Sequence, residues 1–415
     1  MSSLSNKTVV QKYGGSSLKN VTAIKKIAEK IIKTHSEGFN VVVVVSAMGN
    51  TTDQLIAMAE IISSQPQARE LDVLLSTGEL QSATLMAMAL HSLGCAAVSL
   101  SGGQAGILTD SRHRGAKIST VKAGRILTEL QLGKVVIVAG FQGINENTEI
   151  TTLERGGSDT TAVAIAAGIS AERCEIYTDV SGIHTADPRM VKGTRRLKKI
   201  GFEEMLELAS YGAKFPPQAI EMALVYNVPI LVTSSFDDGP GTLIHKESVV
   251  DNNVGQIRNR VRAIATDKDV GKITVRGLKE GTGAQAAVFS TLSQADISVD
   301  VIVQNTSVDG LSDLTFTVNR SQIDNAIAVT EEIANTLGAF EVTNSIDLAK
   351  ISIVGTGMQN VPGYAARTFQ ALADAGINIE LITTSEIRIT CVIEETRLKD
   401  AARVLHDCFE LGKNS

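Results

Sequence analysis

The chain has 415 residues, with 39 Lys and Arg against 45 Asp and Glu, a formal net charge of -6. This acidic balance excludes the basic surplus typical of a nucleic-acid-binding protein, and a hydrophobic content of 43% excludes a disordered chain. The length predicts two or three domains. Trp is absent and aromatic residues make up only 4%, so we expect an aliphatic core, as in parallel sheets covered by helices.

The sequence predicts a cytoplasmic protein. The four cysteines, Cys95, Cys174, Cys391 and Cys408, lie far apart and include no CxxC pair, which is typical of buried or free thiols in a reducing cytosol. The N-terminal residues lack a basic segment followed by a long apolar stretch, so we expect no secretory signal. The longest strongly apolar run, Val41–Val45, is far shorter than the ~20 residues that a membrane helix needs.

The first half of the chain alternates short β-branched runs with longer helical stretches. The predicted strands are Thr8–Gln11, Val41–Val45, Ala97–Leu100, Val135–Ala139, Glu175–Thr178 and Pro229–Val232. The predicted helices are Val21–Thr34, Leu80–Leu93 and Thr160–Gly168. This alternation predicts crossover connections and a largely parallel sheet, whose ligand site lies beyond the carboxyl ends of the strands.

The second half of the chain contains an internal repeat. The composition becomes polar between Phe236 and Asn259, where we place the end of the first domain. Beyond it, GKITVRGL at 271–278 and ADISVDVI at 295–302 match AKISIVGT at 349–356 and AGINIELI at 375–382. Each copy predicts a strand, a loop with Gly283 or Gly363, a helix and further strands. A duplicated βαββαβ unit of this size is typical of a ligand-sensing module.

A glycine-containing loop follows the first predicted strand. The segment reads Lys12, Tyr13, Gly14, Gly15, Ser16 and Ser17. Two glycines let the backbone turn tightly and present N–H groups to an anion, and the lysine adds a positive charge. The next helix, expected to begin near Asn20, points its positive end to the same place. The pattern fits a phosphate site, and it fits equally a plain strand-to-helix turn with a solvated lysine.

A second glycine pair lies in the segment RGGSDTTA at 155–162. Arg155 precedes the predicted start of a helix, where its guanidinium can hold a carboxylate through two hydrogen bonds. Asp159 could simply cap that helix.

Three further charged residues complete the set. Asp179 follows a predicted strand and could orient Mg2+ or a phosphate-bearing group, and Arg189 of the TADPR segment could neutralise phosphate charge. Glu79, in the segment Ser76–Glu79 expected just ahead of a helix, could pair with a substrate ammonium group. Each residue alone is more easily explained by a structural role. Together they supply the cations, glycine loops and carboxylates that phosphoryl transfer requires.

Taken in order, the segments KYGGSS, SAMGNTTDQL, STGEL, RGGSDTTA, YTDVSG, TADPR and SYGAK resemble the motifs of aspartokinases, in the amino-acid kinase superfamily. The repeated C-terminal half resembles the paired ACT domains of these enzymes, and the resemblance runs from Val9 to Gly412. It implies an α/β fold with a doubly wound, mostly parallel kinase sheet, followed by two ferredoxin-like βαββαβ ACT units. The implied domains are a catalytic domain at 1–247, a linker at 248–265, and ACT units at 266–345 and 346–415.

The resemblance also implies a reaction, which is ATP- and Mg2+-dependent phosphorylation of the side-chain carboxylate of L-aspartate to 4-phospho-L-aspartate. This is the first step toward lysine, threonine and methionine. Lys12 would stabilise the transferring phosphoryl group, and Asp179 would help to place the metal and that group. The nucleotide would be held by Lys12, Tyr13, Gly14, Gly15, Thr178, Asp179, His184, Arg189 and Lys214. Aspartate would be held by Thr52, Glu79, Arg155 and Ser158. No residue is assigned directly to the metal.

The repeat implies feedback by lysine, threonine or both. We place the effector at Gly283, Gln304 and Asn305 in the first unit and at Asn378, Ile379 and Ser385 in the second. Loop amides could hold its carboxylate and nearby side-chain oxygens its ammonium group; alternatively, these residues only finish strands and cap turns. We expect the strands to begin at Ser298 and Asn378. Exposed sheet edges of isolated ACT units predict a homo-oligomer. We expect no nucleic-acid or membrane partner.

Two segments depart from the family pattern. After SYGAK the chain reads Phe215-Pro216-Pro217-Gln218, one residue short of that pattern and without its arginine. Two consecutive prolines also remove backbone donors. Glu154 stands where a glycine usually precedes RGGSD, which puts a carboxylate near the expected aspartate pocket. The first change bears on nucleotide affinity, and the second could weaken aspartate binding or shift substrate preference.

Other functions stay open at this point. One is a non-catalytic amino-acid sensor that has kept the kinase fold, and another is a kinase for a different small acid, such as glutamate or carbamate. GTGAQA at 281–286 fits the dinucleotide fingerprint GxGxxA. However, the second repeat has Val361 in place of Gly281, so we assign this loop to the sensing module. The sequence contains no GxxxxGK[ST] loop, and its six histidines show no metal-ligand spacing.

Overall fold

The computed structural model describes residues 7–213, 215–246, 261–279, 283–306, 310–358 and 361–413. The chain forms two compact units. Unit 1 comprises Met1–His184, Arg196–Ser210 and Lys214–Val254, and unit 2 comprises Thr185–Arg195, Tyr211–Ala213 and Gly255–Ser415. Two short segments of the predicted catalytic domain thus group with unit 2, which composition alone could not show. The domain boundaries expected from the sequence stay predictions.

The described part of unit 1 alternates strands and helices. Its strands are β1 (Thr8–Tyr13), β2 (Asn40–Val45), β3 (Ala97–Leu100), β4 (Ile107–Thr109), β5 (Ile118–Val121), β6 (Val135–Ala139), β7 (Gln142–Ile144), β8 (Ile150–Thr152), β9 (Arg173–Thr178), β10 (Lys199–Gly201), β11 (Ile230–Ser234) and β12 (Thr242–His245). Its helices are α1 (Val21–Ser36), α2 (Thr51–Ile62), α3 (Ala68–Ser92), α4 (Gly124–Gln131), α5 (Gly157–Gly168), α6 (Phe202–Ser210) and α7 (Pro217–Tyr226). All six predicted strands and all three predicted helices are confirmed; Ala97–Leu100 and Val135–Ala139 match in both bounds, and the ends of the others are shifted.

The main sheet of unit 1 has the strand order β10-β12-β11-β9-β1-β2-β6-β3. The central strands from β11 to β3 pair in parallel, and β12 runs antiparallel to β11. Every residue of β1, β2 and β6 is buried, because helices cover both faces of the sheet. A smaller sheet has the order β5-β4-β7-β8. The mostly parallel α/β fold predicted from the alternating pattern is confirmed.

Helix α3 differs from the sequence prediction at its start. It begins at Ala68, so Ser76–Glu79 lie inside the helix and not ahead of it. Gly78 does not interrupt the helix. A Cβ at this position would lie 2.9 Å from the Cβ of Ala47, so the glycine allows α3 to pack closely against Ala47. Among the described residues, α3 is the one helix long and apolar enough to cross a membrane, and half of its most apolar window is buried, as in a core helix.

The described part of unit 2 holds the repeat. Its strands are β13 (Ala263–Lys279), β14 (Val299–Thr306), β15 (Leu311–Val318), β16 (Glu341–Val354), β17 (Leu381–Ser385) and β18 (Arg388–Glu394). Its helices are α8 (Ala284–Gln294), α9 (Ile323–Leu337), α10 (Tyr364–Asp374) and α11 (Leu398–Cys408). These strands form one antiparallel sheet in the order β14-β15-β13-β16-β18-β17.

The two repeats share strand β16. Its first part pairs with Lys272–Arg276 of β13, and its last part pairs with β18 and with Ala263–Asp267 at the start of β13. The division predicted between residues 345 and 346 therefore falls inside a continuous strand. The sequence of β16 contains no turn residue that would mark where one repeat ends and the next begins, so the sharing could not be predicted.

Candidate active site

Four neighbouring strands of unit 1, in the order β9, β1, β2 and β6, end at one edge of the main sheet. The next residues along the chain include Asp179 after β9, Gly14 after β1 and Gly140 after β6. This is the edge at which the parallel pattern predicted a ligand site.

Lys12 lies near the end of β1 and forms an ion pair with Asp159. Its Nζ is 2.7 Å from Oδ1 of Asp159, and the two side chains are only 11% and 13% exposed. The α-carbon of Gly14 also lies close, since a Cβ there would be 3.5 Å from the Lys12 Nζ. A nearly enclosed ammonium group at this edge can stabilise negative charge that develops on a phosphoryl group.

Asp159 is the site residue whose role the sequence missed. The helix cap is Gly156, which has a left-handed φ of 84°, and Asp159 lies within the first turn of α5. The capping role considered for Asp159 is therefore wrong. The Lys12–Asp159 pair could not be predicted, because the two residues are far apart along the chain.

Tyr13 points away from the lysine, because successive side chains of a strand alternate between the two faces of the sheet. Its ring is fully buried and stacks on Tyr177 with ring centroids 4.6 Å apart. Burial, with Tyr177 and Glu175 close by, raises the pKa of Tyr13 well above its usual value. A contact of Tyr13 with nucleotide phosphates therefore cannot come from its ring, only from its backbone.

The loops after β1 and β2 touch at Gly15. A Cβ at Gly15 would lie 2.8 Å from the carbonyl oxygen of Ala47, and the Gly49 amide donates to the Gly15 carbonyl at 3.1 Å. Ser17 of the first loop shares a 2.5 Å hydrogen bond with Ser235, which follows β11. Glycine is required here by close packing, and the contact fixes the backbone next to Lys12.

Glu79 is buried below the end of β2. Its Oε1 accepts a hydrogen bond from the Ala47 amide at 3.0 Å, whereas its Oε2 has no hydrogen-bond partner among the described residues. Burial raises the pKa of this carboxyl to about 7. A cationic group brought to Oε2 would favour ionisation and satisfy the unpaired oxygen. The arrangement fits the predicted contact with an ammonium group.

The other predicted aspartate-binding residues lie at the starts of α5 and α2. The Oγ of Ser158, in the first turn of α5, lies close to Gly140, where a Cβ would be only 2.8 Å away. Arg155 is exposed, directly before the cap of α5, and makes no hydrogen bond or ion pair with the residues that the structure describes. Thr52 lies in the first turn of α2, half-buried.

The residues predicted to bind the nucleotide do not all lie in the same unit. Thr178 is the last residue of β9, and its hydroxyl donates a hydrogen bond to Oδ1 of Asp179 at 3.1 Å. The Asp179 side chain is exposed at the edge of the sheet. His184 Nε2 lies 3.1 Å from the hydroxyl of Ser181. Arg189 belongs to unit 2, where its guanidinium forms an ion pair with Asp187 at 2.6 Å. Lys214 lies outside the described residues.

The predicted effector residues form two separate groups in unit 2. In the first, Gly283 caps α8 with φ 121°, and Gln285 of that helix donates to Gln304 of β14 at 3.1 Å. Asn305 is paired with Asp313 across β14 and β15. Because β14 and β17 are the two outermost strands of the six-stranded sheet, the second group lies at its opposite edge.

The second group differs from its prediction. Asn378 and Ile379 precede β17, which begins only at Leu381, and Ser385 ends that strand. Asn378 donates to Glu380 at 3.2 Å, and Lys272 lies 2.8 Å from the other oxygen of Glu380. The hydrogen bond from Lys272 lowers the pKa of Glu380. The sequence analysis missed Glu380 and Lys272, since the pair is formed by residues far apart along the chain. Likewise, the first strand begins at Val299, one residue after its predicted start.

All four cysteines are free, and Cys174 and Cys391 are buried, as predicted. No group of three or more His, Cys, Asp or Glu side chains that could hold a metal ion occurs in the part of the chain that the structure describes.

Comparison with known proteins identifies the family. Residues 7–234 match the amino acid kinase family, and residues 351–409 match the ACT domain. The aspartokinase of Pseudomonas aeruginosa is 47% identical over 404 residues, covering 97% of each chain. The chain belongs to the aspartokinase family. Aspartokinase 2 of Bacillus subtilis is 44% identical over 407 residues, with 98% of each chain covered.

Solved aspartokinases share the fold. E. coli aspartokinase III in complex with aspartate and ADP, described as the R-state, superposes with a TM-score of 0.81 at 25% identity. The alignment covers 97% of this chain and 99% of that one. The same enzyme in complex with lysine and aspartate, described as the T-state, gives a TM-score of 0.75. The resemblance carried by the sequence motifs is confirmed.

Proposed function

We propose that this aspartokinase transfers the γ-phosphoryl group of ATP to the side-chain carboxylate of L-aspartate, giving 4-phospho-L-aspartate and ADP. A carboxylate oxygen attacks the γ-phosphorus, and the bond from that phosphorus to the β,γ-bridging oxygen breaks. The observation that carries the proposal is the enclosed Lys12–Asp159 pair at the sheet edge where β1, β2, β6 and β9 end.

Lys12 stabilises the transferring group. Charge spreads over the equatorial oxygens of the phosphoryl group in the transition state, and a preorganised cation there lowers the barrier. Asp159 holds the ammonium in place, with its Oδ1 2.7 Å from the Lys12 Nζ. Gly14 leaves room beside the ammonium for the phosphate chain, since its α-carbon lies close to Nζ.

The acceptor is held by opposite charges. Glu79 receives the ammonium group of aspartate on its unpaired Oε2, and Arg155 offers two N–H groups to a carboxylate. Ser158 and Thr52 flank the same edge through the first turns of α5 and α2. The negatively charged carboxylates of the substrate thus face cations, and its positively charged ammonium group faces the anionic Glu79.

The nucleotide occupies the side of β9 in this proposal, with Thr178, Asp179 and His184. Arg189 and Lys214 are carried over from the family resemblance. Mg2+ bound with ATP would supply positive charge that offsets the negative charge of the phosphates. The exposed Asp179 carboxylate fits this ion, because carboxylate oxygens are its preferred protein ligands.

Unit 2 provides feedback by lysine or threonine in this proposal. The first group of sites comprises Gly283, Gln304 and Asn305, and the second comprises Asn378, Ile379 and Ser385. We also propose a cytoplasmic homo-oligomer that pairs through the ACT sheet. Ile302 of β14 and Ile382 of β17 occupy equivalent positions in the repeat and are 53% and 44% exposed at the two sheet edges, which pairing would cover.

An ADP-release assay with three acceptor conditions tests the function. We expect ATP-dependent release with L-aspartate and only background with L-glutamate or without acceptor. Release with glutamate alone would indicate a kinase for another acid. No release under any condition, together with lysine or threonine binding by calorimetry, would indicate a non-catalytic sensor.

A further inference from the structure

Two segments far apart along the chain meet beside Arg155. Glu154 and Arg155 belong to the loop between β8 and α5, and Gln218 is the second residue of α7. The Nε2 of Gln218 donates a hydrogen bond to Oε2 of Glu154 at 2.6 Å. The two departures from the family pattern noted in the sequence are therefore parts of one contact.

Backbone packing supports the same contact. A Cβ on Gly156 would lie 2.9 Å from the Cβ of Pro216, so the loop rests directly on the residue before α7. The Gly157 amide donates to the Glu154 carbonyl at 2.8 Å, which closes a turn. The α-carbon of Gly115 lies against the aliphatic part of Glu154, where a Cβ would be 3.5 Å from its Cγ. The direction of the Glu154 side chain is thus set between Gly115 and Gln218.

Arg155 shares its surroundings with this carboxylate. Glu154, Arg155 and Gln218 line one cavity of about 300 Å3. A glutamate next to an arginine around a common cavity is a natural ion-pair partner for it, and such a pair would compete with a substrate carboxylate for the guanidinium. However, Arg155 has no ion-pair partner among the described residues, and the Glu154 carboxylate is bonded to Gln218.

We propose that Gln218 is a positioning residue that keeps Glu154 off Arg155, so that the guanidinium stays available for the acceptor carboxylate. This inference rests on the proposed function, which places Arg155 at the acceptor. Gln218 acts through Glu154 and does not itself contact the substrate. Pro216 and Pro217 fix the start of α7, because proline restricts φ, and so hold the Gln218 amide opposite Glu154.

Steady-state kinetics on five variants, including Glu154→Gln as a reference background, test the proposal. Gln218→Ala raises the aspartate KM about fivefold, equivalent to about 1 kcal/mol, the upper worth of an exposed ion pair. Its kcat and ATP KM stay unchanged. In a Glu154→Gln background the same substitution leaves the aspartate KM unchanged, because no carboxylate competes. Gln218→Lys keeps a donor and keeps the KM of the unsubstituted enzyme. Gln131→Ala, on an exposed helix end of unit 1, is the matched control.

Two results overturn the proposal. One is an aspartate KM for Gln218→Ala within twofold of the unsubstituted value. The other is an equal KM increase in the Glu154→Gln background, which would mean that Gln218 only supports the local structure. If the unsubstituted protein releases no ADP with aspartate, the proposed function fails instead. Calorimetric aspartate binding by the same variants then decides the inference separately, with the same expected ratios.

Discussion

The Lys12 ammonium and the Asp159 carboxylate lie 2.7 Å apart, although 147 positions separate them along the chain. One side chain comes from the central strand β1 and the other from the first turn of α5, so the pair forms only when α5 packs on the sheet. The charge needed for phosphoryl transfer is thus built by the core packing of the domain.

Lys12→Ala is expected to lower kcat by about 10²–10³, because a preorganised cation at the developing charge is lost. The far-UV circular dichroism spectrum should be retained. Turnover is measured at saturating ATP and aspartate. Lys134→Ala, which removes a half-buried lysine paired with Glu129, is the control. Near-normal turnover of Lys12→Ala would remove this lysine from the mechanism.

Asp159→Asn is expected to lower both kcat and stability. It leaves the nearly enclosed Lys12 without its counter-charge, which costs about 3 kcal/mol of unfolding free energy for a buried pair. Urea denaturation measures this loss. The double variant Lys12→Met/Asp159→Asn should recover part of the stability but no activity. A single variant as stable as the unsubstituted protein would show that the pair is not structurally coupled.

Arg155→Lys is expected to raise the aspartate KM while leaving the ATP KM in place. An ammonium group cannot reproduce the two parallel hydrogen bonds of a guanidinium to a carboxylate. Initial rates over a range of aspartate concentrations provide the measurement. An unchanged aspartate KM would take Arg155 out of the acceptor site.

Glu79 is expected to make aspartate binding and stability depend on pH in opposite directions. The aspartate KM should fall as pH rises through about 7, the pKa of the buried carboxyl, because only the ionised form attracts the ammonium group. Glu79→Gln should raise this KM and flatten its pH profile. Initial-rate measurements from pH 6 to 8 provide the comparison.

The same raised pKa predicts the stability trend. Below pH 4.5 the carboxyl is protonated in both the folded and the unfolded state. Between pH 4.5 and about 7 the unfolded chain ionises while the folded protein stays protonated, so the free energy of unfolding falls, by up to about 3 kcal/mol. Glu79→Gln should lack this fall in urea titrations. Parallel curves for the two proteins would contradict the assignment.

Asn378→Ala is expected to weaken inhibition by lysine or threonine without changing basal kcat. Asn378 lies beside Glu380 and Lys272, a charged pair able to receive a zwitterion. An effector inhibits only when it binds the inactive state more tightly, so the readout is the concentration for half-inhibition. If neither amino acid inhibits the unsubstituted enzyme at millimolar levels, the feedback proposal fails. An unchanged response of the variant would move the site elsewhere.

Much of the kinase fold could be predicted because its signals are local. Buried strands such as Val41–Val45 and Val135–Ala139 read as apolar β-branched runs, and the structure confirms both. The start of α3 could not be predicted, because Gly78 in the sequence is typical of a helix break. Only the structure shows that the glycine allows Ala47 to pack closely against the helix. The sharing of β16 between the two repeats could not be predicted either, because it is evident only from the strands with which β16 pairs.

The candidate site divides in the same way. Segments next to strand ends, such as the loop with Gly14 and Gly15, could be predicted from chain order. The partner of Lys12 and the partner of Glu154 could not, because both contacts join residues more than 60 positions apart. Residue alternation along β1 separates Lys12 from Tyr13, and the motif KYGG contains no sign of which face each side chain takes.

The continuous strand β16 links the two sensing repeats so that neither is complete alone. A fragment that starts at residue 346 would keep most of the C-terminal repeat but lose Ala263–Asp267, the strand segment that covers one side of it. Its newly bared backbone donors and acceptors would invite pairing with another chain. A protein that carries one repeat without the other is therefore expected to aggregate through this exposed strand edge.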